Sequence, residues 1–139
     1  MDNKILNLSR ILKSERKAIK EIEPLMFEIR RSIKINDQKF YNMLIAVTEA
    51  VNNAIVHGNR CDPDKSVNIA VQGFKEYVII TIEDEGNGFD PESVADPRAP
   101  ENLMKEHGRG VFLIKQLSEF SEFNPTAKGT KITMKFLTD

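Results

Sequence analysis

The chain has a single cysteine, Cys61, in 139 residues. One thiol excludes an intramolecular disulfide and any cysteine-rich metal cluster. It stands between Arg60 and Asp62, and nothing nearby in sequence forms a nucleophile triad with it. Long apolar runs are also missing. The strongest lies near Tyr77 to Ile82, far short of the roughly 20 residues a helix needs to cross a bilayer. The opening MDNKILNLSR lacks the apolar core of a secretory signal. With no export signal and no membrane segment, a reducing cytoplasm is the expected location. Neither sign of charge dominates. Twenty Lys and Arg against 21 Asp and Glu give a net charge of −1, so no basic field argues for direct contact with nucleic acid. No internal repeat, low-complexity tract or linker is visible. What remains is ordinary, at 40% hydrophobic and 29% charged residues. The length suits one domain, residues 1–139, with one core.

Within this plain background one stretch stands out, MLIAVTEAVNNAIVHGN, from Met43 to Asn59. Glu49 and Asn53 sit inside an apolar helical run. They are four positions apart, so they project from one face, roughly 6 Å apart along the axis. His57 continues the row and Gly58 closes it. Asp37 is expected to cap this helix. Its packing stripe is expected to be Phe40, Leu44, Val47, Val51 and Ile55, with the polar row off to one side. Polar residues on a helix flank are usually solvated. Here the neighbours Val47, Ala50, Val51, Ala54, Ile55 and Val56 imply a largely buried helix. A half-buried Glu suits a general base. A half-buried Asn offers a neutral oxygen to a metal such as Mg²⁺ that keeps several waters. His57 has a supporting role or interacts with the helix end.

The flanks read as alternating elements. Lys4 to Leu8 is a short edge strand. Ser14 caps a turn or two of helix through Ile22, and Pro24 starts a better helix with Leu25, Met26, Ile29 and Ile33 inward. Val67–Phe74 and Tyr77–Asp84 alternate with period two and form an antiparallel hairpin. An irregular stretch from Asp84 to His107 follows, of the length that serves as a functional lid or is disordered. A helix runs from Val111 to Ser118, then strands at Phe120–Phe123 and around Ile132, Met134 and Phe136. The order predicts an α+β two-layer sandwich, a mostly antiparallel sheet with helices on one face.

Two glycine clusters have both a chemical and a plain reading. Asp84-Glu85-Gly86-Asn87-Gly88 ends an apolar strand. Its glycines let a ligand approach the backbone, and its aspartate can accept from a ligand amino group; the same residues also make an ordinary β-turn. Gly108-Arg109-Gly110 precedes a helix. Free N–H groups there suit an anion; the plain reading is a flexible junction with Arg109 in solvent. Gly129-Thr130 adds a small residue and a hydroxyl. Together the pieces form a nucleotide site, although no Walker loop, kinase glycine loop or Rossmann fingerprint is present.

EAVNNAIVHGN resembles the N box, DEGNGFDP the first glycine box and HGRGVFLIK the second glycine box of the GHKL ATPase superfamily. That superfamily includes DNA gyrase, MutL and histidine kinases. The run DPRAPENLMKEHGRGVFLIKQL is most similar to the anti-sigma factor serine/threonine kinases. The likeness extends from about Lys34 to Phe136, with the boxes in order. It implies a Bergerat, histidine-kinase-like fold that binds Mg²⁺·ATP beneath a lid at about residues 86–108. It implies Glu49 as general base and Asn53 as Mg²⁺ ligand and part of the ATP site. Asn52 turns roughly a hundred degrees away. It further implies Asp84 on the adenine amino group, Gly86 and Gly88 shaping the pocket, Gly108, Arg109 and Gly110 along the phosphates, and Thr130 near the base. The implied substrate is a STAS-domain anti-anti-sigma factor, with a sigma factor as alternative partner and transcription regulated by partner switching. The family tendency is a homodimer, for which the first strand's edge is available. No phosphoacceptor helix pair precedes the domain, which argues against a self-contained sensor kinase. Two other readings stay open: a non-catalytic ATP-binding regulator that sequesters a partner, and a histidine-kinase catalytic domain acting in trans.

Overall fold

The computed structural model describes residues 3–86 and 106–139. Gly88 and most of the expected lid lie outside the described residues. Among the described residues five strands form one sheet: β1 (Leu6–Lys13), β2 (Ser66–Gly73), β3 (Tyr77–Glu83), β4 (Phe120–Pro125) and β5 (Thr130–Leu137). Their order is β1-β2-β3-β5-β4, and every neighbouring pair is antiparallel. Register follows from the period-two pattern, because a one-residue slip would turn every core side chain outward. Ile69, Ile82 and Ile132 form one cross-strand row, and Val71, Ile80 and Met134 the next. All are buried, whereas Asn68, Ala70 and Gln72 on the other face of β2 are exposed.

The helices α1 (Ile22–Ser32), α2 (Asp37–Asn52) and α3 (Glu106–Leu117) pack on the face that carries these rows. Fully buried Met26, Ile29, Met43, Val47 and Ile114 complete the core with the sheet residues. The two-layer α+β sandwich is therefore present as expected.

Several local expectations are corrected. β1 runs five residues further than expected, to Lys13. Its helix-facing row is Leu6, Leu8, Arg10 and Leu12, opposite Gly73, Val71, Ile69 and Val67. The arginine breaks the apolar alternation and hides the strand from a pattern search. It is accommodated by Glu28 of α1, 2.6 Å away. Ser14 does not cap a helix. It is fully buried, and a 3-10 turn (Arg16–Glu21) passes directly into α1 at Ile22. Pro24 is the third residue of α1, in its first turn, where proline is tolerated. Asn36, not Asp37, caps α2: its Oδ1 accepts from Gln38 N at 2.8 Å and Lys39 N at 3.3 Å. Asp37 sits in the first turn, favourable to the helix dipole, and pairs with Arg30. The α2 core face is rotated toward Met43, Ala46 and Ala50, leaving Leu44 partly buried.

Beyond Asn52 the helix widens into a π-type turn, Asn53–Gly58. Arg60 and Cys61 then take left-handed backbone, with φ of 54° and 57°. α3 begins before Val111, so Gly108, Arg109 and Gly110 lie within its opening turns rather than ahead of it.

Candidate functional site

The strand ends build the first half of the site. β3 ends at Glu83 and presents Asp84, which is only 2% exposed. The Asp84 amide donates to the Thr130 carbonyl at 3.0 Å. Its Oδ1 accepts from the amides of Gly86, at 2.9 Å, and Thr130, at 3.0 Å. Two donors fill the two lone-pair directions of one sp² oxygen. Oδ2 has no hydrogen bond among the described residues and so keeps its accepting capacity. Burial pushes the Asp84 carboxyl above its ordinary value of 3.8, and Glu83 adds to this; the Gly86 and Thr130 amides and the Lys65 charge pull the other way.

Three glycines are packed around this carboxylate. A Cβ on Gly58 would run into Asp84 Oδ2, and one on Gly129 into Asp84 Oδ1. A Cβ on Gly86 would run into the Gly58 carbonyl. The loop after β3, the end of the π turn and the start of β5 are therefore in close backbone contact. Thr130 is buried at this junction.

The second half lies one turn back along the helix. Asn53 is 2% exposed, Glu49 is half-buried and His57 is exposed. The polar row thus divides: Glu49 and Asn53 face protein, and His57 faces solvent. α3 crosses this row at Gly110. A Cβ there would lie 2.8 Å from Glu49 Oε2, 3.4 Å from Asn53 Oδ1 and 3.5 Å from Asn53 Nδ2. A side chain at this position would have to push the end of Glu49 aside, so glycine leaves the carboxylate and the amide in place between the two helices. Gly108 is buried and Arg109 exposed in the same helix. The π turn Asn53–Gly58 joins the halves, since it starts at the amide and ends against Asp84.

One member of the site gave no usable sequence signal. Asn59 is 1% exposed and bridges three chain segments through its side chain. Its partners lie as far as 45 residues away in sequence, and an Asn after Gly58 reads simply as a helix stop.

The sequence profile of the histidine kinase-like ATPase domain matches residues 13–136. The chain belongs to the histidine kinase-like ATPase family. Among its relatives in this family, the anti-sigma F factor of Clostridium perfringens is 31% identical over 140 residues, covering 97% of this chain and 96% of that protein. The serine-protein kinase RsbW of Staphylococcus aureus is 32% identical over 102 residues, covering 66% of this chain and 64% of the relative. In three dimensions the fold matches a crystal structure of the RsbU and RsbW domains of a Mycobacterium tuberculosis protein, with a TM-score of 0.65 at 17% identity. That match covers 96% of this chain and 33% of the other. A histidine kinase domain from Erythrobacter litoralis has a TM-score of 0.51 at 15% identity, covering 88% and 58% of the two chains. Among the described residues, no helix of this chain is long and apolar enough to cross a membrane.

Proposed function

We propose that the chain is an ATP-dependent serine/threonine protein kinase of the anti-sigma type. Its substrate is a serine on a STAS-domain anti-anti-sigma factor, and a sigma factor is the alternative partner in a cytoplasmic partner switch. The carrying observation is the meeting of Glu49, Asn53 and Gly110, which sets a carboxylate beside the helix expected to line the phosphates. The family match and the named activities of the relatives support the same reading.

The residues present fit Mg²⁺·ATP. Asp84 Oδ2 has accepting capacity for an adenine 6-amino group, since the Gly86 and Thr130 amides are both on Oδ1. A buried neutral amide stands next to a carboxylate, with no Cβ from α3 filling the space in front of them. In this reading Asp84, Gly86, Gly88 and Thr130 receive the base, Gly108, Arg109 and Gly110 lie along the phosphates, and Asn53 supplies the metal ligand. Bound Mg²⁺ would supply charge neutralisation on the triphosphate. Glu49 takes the proton from the incoming serine hydroxyl as its oxygen bonds to the γ-phosphorus and the bond to ADP breaks. The protein's contribution is then positioning, exclusion of water and fixed dipoles. Residues 86–108 would act as the lid of a single domain spanning 1–139, and a homodimer would use the free edge of β1.

The test is transfer of label from γ-labelled ATP to candidate STAS proteins. Stoichiometric, acid-stable label on a partner serine is expected. Tight partner binding without label would instead favour the non-catalytic regulator, and acid-labile label a histidine kinase acting in trans. Glu49→Gln should bind ATP within about twofold of wild type and lose at least about a hundredfold in transfer, the usual range for removing a general base. Undiminished transfer by this variant would remove Glu49 from the mechanism.

A further inference from the structure

We propose that Asn59 is a positioning residue for adenine recognition, which fixes Asp84 through a closed ring of hydrogen bonds. The proposal rests on the reading of Asp84 as the adenine acceptor. The Asn59 Nδ2 donates to the Ser66 carbonyl at 3.0 Å. The Ser66 amide donates to Glu85 Oε2 at 2.7 Å. The Glu85 amide donates to Asn59 Oδ1 at 2.7 Å. These bonds close the ring, and its last member is the residue directly after Asp84. A fourth bond runs from Asn59 Nδ2 to Ser14 Oγ at 2.5 Å.

The partners leave one orientation for the Asn59 amide. A backbone carbonyl can only accept and a backbone N–H can only donate. Nδ2 must therefore face Ser66, and Oδ1 must face Glu85. The ring thus holds the peptide after Asp84 against the residue after Gly58. Gly58 and Gly86 are already in backbone contact, and Gly58 lies against Asp84 Oδ2. The one Asp84 oxygen that keeps accepting capacity is consequently located from two sides. Thr130 and Gly86 hold Oδ1, and the Asn59 ring holds the peptide that follows. Neither Asn59 nor Ser66 need touch a nucleotide for this. Loss of the ring would let the strand end shift, and a hydrogen bond tolerates only a few tenths of an ångström before it weakens.

A buried Asn that ties three segments also stabilises the fold, so affinity for ATP alone is not a sufficient test. The discriminating probe pair is ATP and purine riboside triphosphate, which is ATP without the 6-amino group. Binding of each is measured by calorimetry in Mg²⁺ buffer on wild type and Asn59→Ala, with folding checked by circular dichroism. Wild type should prefer ATP by about tenfold or more, the range for a hydrogen bond to a charged acceptor. In Asn59→Ala the ratio should collapse toward one, mainly by loss of ATP affinity, while purine riboside triphosphate still binds. An equal loss for both nucleotides, or an unchanged ratio, would overturn the positioning role. A wild type that binds both nucleotides equally would instead overturn the adenine reading of Asp84 itself. If Asn59→Ala does not fold, Glu85→Ala replaces it. Glu85 is half-exposed and its side chain holds only one arm of the ring. The same ratio should then fall by about threefold, a loss of one modest hydrogen bond, and an unchanged ratio would again overturn the proposal.

Discussion

Asp84 carries two demands that pull apart. Binding a base amino group asks for an ionised carboxylate, while burial disfavours that charge and raises its pKa above 3.8. A carboxyl with a raised folded-state pKa contributes stability below its unfolded value, and that contribution is lost as pH rises through the folded value. Ionised Asp84 is therefore a cost to the fold at neutral pH. Asp84→Asn keeps an oxygen that can accept from Gly86 and Thr130, and it removes the titration. Its urea midpoint at pH 7 should equal or exceed that of wild type, and the gap should be larger at pH 7 than below pH 3.8. ATP binding should be lost in the same variant, because an amide N–H₂ facing the adenine amino group sets donor against donor. A midpoint difference that stays flat with pH would show that burial does not govern this carboxyl.

At the scale of elements, the contact between α2 and α3 shows why a glycine sits inside a helix. Gly110 gives up helix propensity, about 1 kcal/mol relative to Ala. In return α3 reaches the Glu49–Asn53 pair. Gly110→Ala should recover much of that propensity, since the nearest obstacle, 2.8 Å from the new methyl, is the movable end of the Glu49 side chain. The expected result is a melting temperature equal to or above wild type, with phosphotransfer sharply reduced because the carboxylate has been pushed aside. A variant that keeps full transfer would show that Glu49 does not need its observed place. The turn after the π segment carries a different cost. Arg60 and Cys61 are left-handed without being glycine, at about 1–2 kcal/mol each. Arg60 is exposed, so Arg60→Gly removes strain without removing packing. After about 0.5–1 kcal/mol for the extra freedom of glycine in the unfolded chain, a net gain of about 0.5–1 kcal/mol is expected in urea unfolding. A loss would mean that the Arg60 side chain holds the turn.

At the scale of the whole molecule, the sequence is legible where burial imposes a period and illegible where contacts are long-range. β2, β3 and β5 are half-buried strands, and their alternation marks them directly. Glu49 and Asn53 stand out because polar groups interrupt an apolar helix. The extension of β1 is hidden by Arg10, which needs Glu28 on α1 to make sense of its place. The π turn depends on backbone hydrogen bonds and has no side-chain signature. Asn59 acquires its role only when Ser14, Ser66 and Glu85 are brought to it. The same distinction predicts where the fold is vulnerable. Ile80 is fully buried on β3, between Val71 and Met134 on the flanking strands. Little can collapse into the space it fills, because both neighbouring strands are fixed by their ladders. Ile80→Ala should therefore cost about 3–5 kcal/mol, the upper part of the range for such truncations. Against a typical total of about 5–15 kcal/mol, that is enough to bring the chain near its unfolding threshold. Asn68→Thr, on the exposed face of the adjacent strand, should change stability by less than about 0.5 kcal/mol. Urea titrations of the two variants beside wild type measure the contrast, and comparable losses would contradict a core confined to the helix-facing side of the sheet.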